Sequence, residues 1–490
     1  PTIAVATDGG VSVILDSGTV VDITGNGENT RSVAFAGNDL VTGTYSNSNI
    51  FRDIHVYYNF SADITKGNSY TKGPADEFYT LYSPLDSQAD LTSFFSTNGY
   101  AILADDDKIS IGTSAGLQSI NRVKANPSAG ISALITSSYN TGWINGDIKG
   151  AFLSDTDTTS LVETASIIPN GDFSAADTFW VNATNATKQI VSGQLEITAS
   201  VNFGGFKPNY STVYEGGWYW VEADLISGTG RFSFDFPGYA GDFANVNRTG
   251  PYSYRGYVML RESDGYFLPS LKTSVAGTTT VWDNFRMVKV SEDRSVNANG
   301  LIVNGTITKT AVATGADLVA YSGFSATNYL EQPYNADLDF GTGDFSILFW
   351  NVFGNGSNEV ILSRMDAGLA GSGFGLGVAA TGALEFSSYA VGALTNRRGD
   401  TIQNKGRRFV AVVREGGVLK FYVEGELTYT VADTTDYDNA TAALRIGCRV
   451  DGANIADSQN VSLLRISATA PSAAQIAKIY EDEKFLFQEN

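Results

Sequence analysis

The sequence predicts an all-β protein of about three domains that ends in a short helix. Short runs that alternate apolar and polar residues are separated by Gly, Asn, Asp and Ser, at the spacing typical of β-sandwiches or propellers. Charged residues make up only 17% of the chain and aromatic residues 12%, and a chain this rich in aromatic residues is not disordered. The length of 490 residues, at roughly 150 residues per domain, gives the number of domains.

The first region, residues 1–165, contains a faint repeat of hairpins. Ile3–Ile14 is similar to Ile109–Ile120, and each segment reads as a strand, a turn of small residues and a second strand. Hairpins that recur every ~40 residues are typical of the blades of a β-propeller. We therefore expect a propeller-like β module, interrupted by a longer insertion at residues 60–98.

The end of this region carries a more specific pattern. The segment Ser132–Asp157, SALITSSYNTGWINGDIKGAFLSDTD, resembles part of bacteriophage tail and tail-fibre proteins. In those proteins it closes a propeller-like module ahead of carbohydrate-binding-like domains. The residue chemistry alone predicts a hairpin that ends in an acidic, Thr-rich linker.

The second region, residues 166–290, opens with IIPNGDFSAADTFW and closes with TTVWDNFRMVKV. These ends, with SGQLEIT and EGGWYWVEADLIS between them, resemble the jelly rolls of carbohydrate-binding modules. Side chains alternate between the two faces of a strand. The face expected to meet the core carries Tyr219, Val221, Ala223 and Leu225. The face expected to point outward carries Trp218, Trp220, Glu222 and Asp224.

Residues 291–317 look like a connector with one or two short strands, and residues 318–490 form the third domain. The runs GDFSILFWNVFG and VVREGGVLKFYVEGELTYT, in this order, resemble a laminin-G or concanavalin-A-like jelly roll. Ser472 and Gln475 form a capping box ahead of a helix, and a closing helix is usual in that family. The stretch ATNYLEQPYNADLDFGTGDF again resembles phage tail proteins.

Charge and rare residues exclude several classes of function. The chain has 32 Lys and Arg against 52 Asp and Glu, and this net charge of -20 argues against a nucleic acid partner. A single histidine, His55, and a single cysteine, Cys448, exclude a disulfide within the chain and a Cys/His zinc site. His55 lies in an alternating run, so we expect it to be structural.

No stretch reaches the ~20 apolar residues that span a bilayer, so we expect no membrane insertion. The chain starts at Pro1 without Met or a signal peptide, so we expect Pro1 to be a cut boundary.

Aromatic side chains are the main candidates for a binding site, because rings serve as stacking platforms for sugars. Trp218 and Trp220, with Glu222 as a hydrogen-bonding neighbour, are one candidate platform. A second candidate is the tyrosine-rich run with Tyr239, Tyr252, Tyr254 and Tyr257. The alternative is that these rings pack against a neighbouring domain or subunit, where aromatic residues are also enriched.

Acidic pairs are candidates for catalysis, because glycoside hydrolysis needs two carboxylates roughly 5–10 Å apart. The pairs with suitable spacing in the third domain are Asp337 with Asp339 and Glu424 with Glu426. Glu222 and Asp224 have the same spacing, but beside two tryptophans they are better interpreted as hydrogen-bonding partners of a sugar. The alternating Glu-x-Asp-x-x-Glu signature of the related hydrolases is absent from the third domain, so we expect no enzyme activity. The glycine-rich run Gly371–Gly377 precedes a strand, so it predicts a strand rather than a nucleotide loop.

The two jelly-roll resemblances imply a structural calcium ion held by loop oxygens, although no cofactor is required. In the second domain the resemblance points to Asp172 and Asp283, near the two ends that lie together in that fold. In the third domain Asp451 and Asp457 lie in a loop. The alternative for Asp172 is that it caps a turn.

Together the resemblances imply a non-catalytic virion tail-fibre component, located outside the cell. Its partners would be host surface glycan and other tail proteins, and such fibres usually assemble as homotrimers. One alternative is a purely structural virion protein whose jelly rolls hold subunits together. Another is a fragment of a secreted carbohydrate-binding or glycan-degrading protein. Aromatic rings in an open groove favour receptor binding, rings buried between chains favour a structural role, and two facing carboxylates in a cleft favour an enzyme.

Overall fold

A computed structural model describes most of the chain. The described residues are 2–7, 10–24, 28–46, 52–58, 64–65, 77–80, 102–105, 107–113, 116–123, 125, 130–175, 179–208, 217–234, 246–260, 269–295, 297–356, 358–366, 368, 371–390 and 393–487. They form a nearly all-β structure with one short α-helix near the C-terminal end, as the sequence predicts. None of the helices in these ranges is long and apolar enough to cross a membrane.

The first region contains three four-stranded sheets. The first sheet has the order β1-β2-β3-β7, the second β4-β5-β6-β8 and the third β12-β11-β10-β9. The strands are β1 (Ile3–Thr7), β2 (Gly10–Ile14), β3 (Val20–Thr24), β4 (Glu28–Ala36), β5 (Asp39–Ser46), β6 (Arg52–Tyr57), β7 (Ile64–Thr65), β8 (Glu77–Thr80), β9 (Ile102–Asp105), β10 (Lys108–Thr113), β11 (Gly116–Asn121) and β12 (Ile131–Ile135). His55 lies within β6, as the alternating run predicts.

The predicted repeat is confirmed at the level of hairpins. Ile3 pairs with Ile14 across β1 and β2, and Ile109 pairs with Ile120 across β10 and β11. A buried ion pair between Arg122 and Asp39, 3.0 Å long, joins the second and third sheets. No closed sheet is formed by the described part of this region, so the propeller arrangement stays a prediction. Most of the insertion at 60–98 lies outside the described residues.

The second region folds as a sandwich of two five-stranded sheets around one apolar core. One sheet has the order β15-β18-β23-β20-β21, and the other has the order β16-β17-β24-β19-β22. The strands are β15 (Trp180–Thr184), β16 (Ala186–Val191), β17 (Gln194–Ala199), β18 (Gly204–Pro208), β19 (Gly217–Ser227), β20 (Thr229–Phe234), β21 (Arg248–Thr249), β22 (Tyr252–Leu260), β23 (Pro269–Thr273) and β24 (Thr279–Ser291). The predicted core face of β19 is buried in this core, namely Tyr219, Val221, Ala223 and Leu225.

The third region is a larger sandwich, and the jelly-roll prediction for it is confirmed. One sheet has the order β26-β27-β38-β29-β34-β35-β36, and the other β25-β28-β37-β30-β31-β32-β33. The strands are β25 (Leu301–Asn304), β26 (Thr306–Ala311), β27 (Val319–Ser322), β28 (Tyr329–Gln332), β29 (Phe345–Phe353), β30 (Glu359–Met365), β31 (Gly373–Val378), β32 (Ala383–Ala390), β33 (Ala393–Thr401), β34 (Gly406–Glu415), β35 (Val418–Val423), β36 (Glu426–Ala432), β37 (Ala443–Ile446) and β38 (Gln459–Ser467).

The closing helix, α1 (Ala473–Glu483), begins where the sequence predicts. The Ser472 side chain accepts a hydrogen bond from the Gln475 backbone N–H, and the Gln475 side-chain oxygen accepts one from the Ser472 backbone N–H. Ile476 and Ile479 are buried against the third sandwich. The glycine-rich run falls in strand β31, so the expectation of a strand there is confirmed.

Strand pairing crosses the boundaries that the sequence predicts between regions. Strands β13 (Ile148–Phe152) and β14 (Leu161–Val162) fall within residues 1–165 by sequence. In the structure, β13 pairs with β38 and β14 pairs with β26, so both belong to the third sandwich. The predicted connector contributes β25 and β26 to the two sheets of the same sandwich. Strand β24 pairs with β25 and so joins the second and third sandwiches in one sheet.

Candidate functional site

A polar groove lies on the outer face of the second sandwich, across strands β19, β22 and β24. Glu222 on β19 is directly opposite Arg255 on β22 and Arg286 on β24. The groove has a volume of about 460 Å³, within the usual range of small-molecule sites. It is lined by Ser166, Ile168, Asn170, Gly171, Asp172, Glu222, Asp224, Arg255, Asn284, Phe285 and Arg286.

The opening segment of the domain forms one wall of this groove. The Phe285 backbone N–H donates to the Gly171 carbonyl at 2.8 Å, which fastens the segment to β24. A Cβ on Gly171 would lie 1.8 Å from the Phe285 carbonyl oxygen, so only glycine allows this approach. The Asn-Gly-Asp-Phe motif therefore places Asp172 at the edge of the groove and Phe173 in the core.

Arg255 links the two acids of β19. Its Nε lies 3.2 Å from a Glu222 carboxylate oxygen, and one of its Nη atoms lies 2.9 Å from Asp224 Oδ1. The other Nη donates to the Tyr254 carbonyl at 2.8 Å. The Arg255 guanidinium is thus held rigidly between two carboxylates, which are still partly exposed to solvent.

Asp224 accepts two further hydrogen bonds, from Ser253 Oγ at 2.6 Å and from Asn284 Nδ2 at 2.9 Å. Burial raises the pKa of Asp224, but these hydrogen bonds and the charge of Arg255 outweigh it, so the pKa lies below the ordinary aspartate value. Asp224 is therefore an anion at neutral pH.

Arg286 is much less engaged than Arg255. One Nη atom lies 3.5 Å from Glu222 Oε1, and 38% of the Arg286 side chain is exposed. No other hydrogen bond or ion pair joins it to the residues that the structure describes. Its guanidinium therefore presents free N–H groups at the groove.

The predicted tryptophan platform differs from the structure. Trp220 is only 7% exposed and packs with Val288, Val290 and Ile302. Its ring also lies edge-on to Tyr257, with centroids 4.9 Å apart. The long strand β24 extends beyond the second sandwich and pairs with β25 of the connector. The tryptophans therefore pack against another part of the same chain. Trp218 is half-buried beside them.

The three described tyrosines of the second predicted platform do not form a common exposed surface. Tyr254 lies in the core, where its hydroxyl donates to the Gly230 carbonyl at 3.2 Å, and burial raises its pKa to about 12. Tyr252 lies two positions before Tyr254 on β22 and so shares its face, and it is partly buried against the core. Tyr257 faces outward, and its hydroxyl donates to the Gly300 carbonyl at 2.7 Å. Tyr239 lies outside the described residues.

Asp172 and Asp283, the residues named for calcium, each have a partner within the protein. Asp172 caps a turn by accepting hydrogen bonds from the backbone N–H of Ser174 at 3.3 Å and from its hydroxyl at 3.0 Å. Asp283 accepts one from Gln194 Nε2 at 3.2 Å. The described part of the chain contains no cluster of three or more Asp, Glu, His or Cys side chains suited to a metal. The calcium ion stays a prediction.

The acidic pairs of the third sandwich are engaged in structural contacts. Asp339 is held by Arg364 and accepts hydrogen bonds from Tyr334 Oη at 2.8 Å and from the Asn439 backbone N–H at 3.0 Å. Burial raises the pKa of Asp339, but these donors outweigh it and the pKa lies below its ordinary value. Asp337 contacts Asn299 instead, through Oδ2 at 3.3 Å.

Of the other candidate acids of this sandwich, Glu424 and Asp451 are engaged by partners, whereas Glu426 and Asp457 are exposed. Glu424 accepts hydrogen bonds from the Phe409 backbone N–H at 2.8 Å and from Tyr480 Oη at 3.1 Å, while Glu426 is exposed. Asp451 forms a two-pronged ion pair with Arg449, at 2.9 and 2.7 Å. Asp457 lies at the surface.

The groove contains residues that the sequence did not single out, namely Arg255, Asn284 and Arg286. Strand alternation places Arg255 on the outer face of β22. However, its position opposite Glu222 depends on the register between two strands that lie far apart in sequence. The sequence alone does not reveal this register, so it could not predict that Arg255 lies beside Glu222.

Residues 324–477 match the family described as the concanavalin A-like lectin/glucanases superfamily. The third sandwich is therefore a lectin-like jelly roll. No curated protein matches the chain.

Several solved structures are similar to parts of the chain. The binding domain of Paraclostridial Mosquitocidal Protein 1 is 14% identical with a TM-score of 0.33, over 39% of this chain and 49% of that one. The chain thus covers about half of that toxin domain. The Ruminococcus gnavus IT-sialidase CBM40, bound to alpha2,3 sialyllactose, is 12% identical with a TM-score of 0.25, over 30% and 92%. Domain 4 of the Geobacillus stearothermophilus arabinanase AbnA, in complex with arabinotriose, is 16% identical with a TM-score of 0.29, over 39% and 92%.

Proposed function

We propose that this chain is a non-catalytic glycan-binding protein that attaches a virion to carbohydrate on the host surface. The observation that carries the proposal is the open polar groove on the second sandwich. Carboxylates, guanidinium groups and an amide line it together, and these groups donate to and accept from the hydroxyl groups of a sugar. The lectin-like third sandwich supports the same function.

The virion setting rests on the resemblance of two segments to phage tail proteins, Ser132–Asp157 and the stretch ATNYLEQPYNADLDFGTGDF. It places the protein outside the cell as a tail-fibre component. Other tail proteins and further copies of the chain, in a homotrimer, are the partners that this setting implies. A low content of charged residues, 17%, and dense β-structure suit an exposed particle.

The state of the acids in the groove supports a binding role without catalysis. A glycosidase needs one carboxylic acid that keeps its proton near neutral pH, beside a second carboxylate. In the groove the pKa of Asp224 is lowered rather than raised. Glu222, its neighbour on the same face, is paired with two arginines. This arrangement favours hydrogen bonds to a ligand over proton transfer.

The binding function can be tested with Glu222→Gln, which preserves the shape of the side chain but removes its charge. The measurement is binding of the intact chain to purified host-envelope polysaccharide, with Glu426→Gln as the matched control on the exposed hairpin of the third sandwich. We expect at least a tenfold loss of affinity for Glu222→Gln and no change for the control. Equal affinity of both variants for the polysaccharide would show that the groove is not the glycan-binding site.

The second candidate function is a structural role in the virion, which would be favoured by tryptophans buried between chains, whereas Trp220 packs against the connector of its own chain. Trp220 and Tyr257 are covered by the connector, so this half of the sheet serves to join two sandwiches. The test is the oligomeric state of the intact chain by light scattering, together with polysaccharide binding. A stable trimer that binds no host polysaccharide would favour the structural role over attachment.

A further inference from the structure

The charged groups of the polar groove differ in how much hydrogen-bonding capacity they have left. Asp224 accepts from three donors, Ser253, Arg255 and Asn284. Arg255 uses its Nε and both Nη atoms on Glu222, Asp224 and the Tyr254 carbonyl. Most of the hydrogen-bonding groups of these two residues are therefore already in use within the protein.

Arg286 has the largest unused capacity. Its contact with Glu222 at 3.5 Å is at the limit of a hydrogen bond, and 38% of its side chain is exposed to solvent. A guanidinium carries five N–H donors in a planar fork, which fits the two oxygens of a carboxylate or sulfate. The neighbouring carboxylates hold Arg255 instead, so the donors of Arg286 remain available to a ligand.

We infer that the groove takes an acidic sugar, whose carboxylate or sulfate oxygens bind the guanidinium of Arg286. This inference rests on the proposed glycan-binding function and names the class of sugar. The sugar hydroxyls would bind Asp172 and Glu222, which line the same groove and are at least partly exposed. The ligand anion would replace the long contact from Glu222.

The negative charge of the chain does not oppose this assignment strongly. The net charge of -20 is spread over 490 residues, and at physiological ionic strength charges more than ~8 Å away are largely screened. Arg255 pairs with both Glu222 and Asp224, and its single positive charge offsets one of their two negative charges. An anion in the groove is therefore held by the directed N–H donors of Arg286 and not by the net charge of the lining.

The test is calorimetric titration of the intact chain with three oligosaccharides of the same length and linkage. One ends in glucuronic acid, one in a sulfated glucose and one in plain glucose. We expect at least one of the two acidic sugars to bind tenfold or more tightly than the neutral sugar, and the better of the two identifies the anion. Arg286→Gln should abolish this preference, and Arg286→Lys, which keeps the charge without the fork, should retain part of it.

Arg398→Gln is the matched control, because Arg398 is 47% exposed and pairs with Glu385 on the third sandwich, away from the groove. It should bind all three sugars as the unaltered protein does. Equal affinity for acidic and neutral sugars, or an acid preference that persists in a folded Arg286→Gln, would overturn the inference while leaving glycan binding intact. If the unaltered chain binds none of these sugars but binds host polysaccharide in a Glu222-dependent way, the acidic-sugar assignment alone fails. Absence of both kinds of binding would refute the proposed function as well.

Discussion

Asp293, at the start of the connector, is a fully buried carboxylate that joins two parts of the chain. It accepts hydrogen bonds from the backbone N–H groups of Ala151 at 2.8 Å, Ser295 at 2.8 Å and Asn299 at 3.1 Å. The Ser295 hydroxyl adds a fourth at 2.7 Å. Burial raises the pKa of Asp293 to about 6, although these donors act in the opposite direction.

This raised pKa predicts a pH dependence of stability. Because the folded-state pKa is above the ordinary value of 3.8, the contribution is fully present below that pH and is lost as the pH rises through about 6. A shift of this size corresponds to about 3 kcal/mol. We therefore expect the unfolding free energy of the unaltered protein to fall by up to that amount more than that of Asp293→Asn between pH 4 and 7.5. Urea denaturation across this range measures it, and parallel pH profiles would contradict the prediction.

At the scale of single elements, the length of β24 decides what happens to the tryptophans of β19. The strand runs for 13 residues, so it extends past the second sandwich and pairs with β25. Ile302 of β25 then covers Trp220. An outward-facing residue becomes buried because a neighbouring strand continues into the next domain.

We predict that Trp220→Ala lowers the unfolding free energy by about 3–5 kcal/mol, the usual cost of emptying a buried aromatic site. Trp218→Ala should cost less, because Trp218 is only half-buried. The measurement is thermal or urea unfolding of both variants, followed by circular dichroism. If the Trp220→Ala protein has normal stability but no longer binds glycan, the result would contradict this prediction and support the tryptophan platform predicted from the sequence.

At the scale of the whole molecule, Glu483 at the end of α1 joins distant segments. Its carboxylate accepts from the Trp143 backbone N–H and from Trp350 Nε1, each at 2.7 Å, and it pairs with Arg465. Both members of this ion pair are almost completely buried. Trp143 precedes β13, Trp350 lies in β29, and Arg465 lies in β38, so one side chain fastens the helix to three segments.

We predict that Glu483→Gln destabilises the protein by about 3–5 kcal/mol, since removing one partner leaves the Arg465 charge buried and uncompensated. Glu481→Gln is the control, because Glu481 is exposed on the same helix and pairs only with Lys484. It should change stability by less than about 1 kcal/mol. Chemical denaturation compares the two, and similar losses in both variants would disprove the role of Glu483.

Local sequence patterns determined the elements of this protein. The hairpins at Ile3–Ile14 and Ile109–Ile120, the buried face of β19 and the capping box at Ser472 all follow from short-range geometry. Strand alternation and helix capping involve neighbouring residues, so the sequence contains them in full. The lectin-like third domain was predicted in a different way, from the resemblance of its successive segments to a laminin-G or concanavalin-A-like jelly roll.

Only the tertiary structure decided which elements meet. β13 and β14 join the third sandwich, about 300 and 140 residues away from their partners β38 and β26. Trp220 and Tyr254, which the sequence predicts at a binding surface, are buried in the structure. Arg255 and Arg286 lie opposite Glu222 instead. The physical reason is that contacts between residues far apart in sequence set the strand register and the domain packing. Each such pairing is one of many pairings that the same strand could form. The faces of each strand were thus fixed locally, but the polar groove depends on pairings that alternation does not encode.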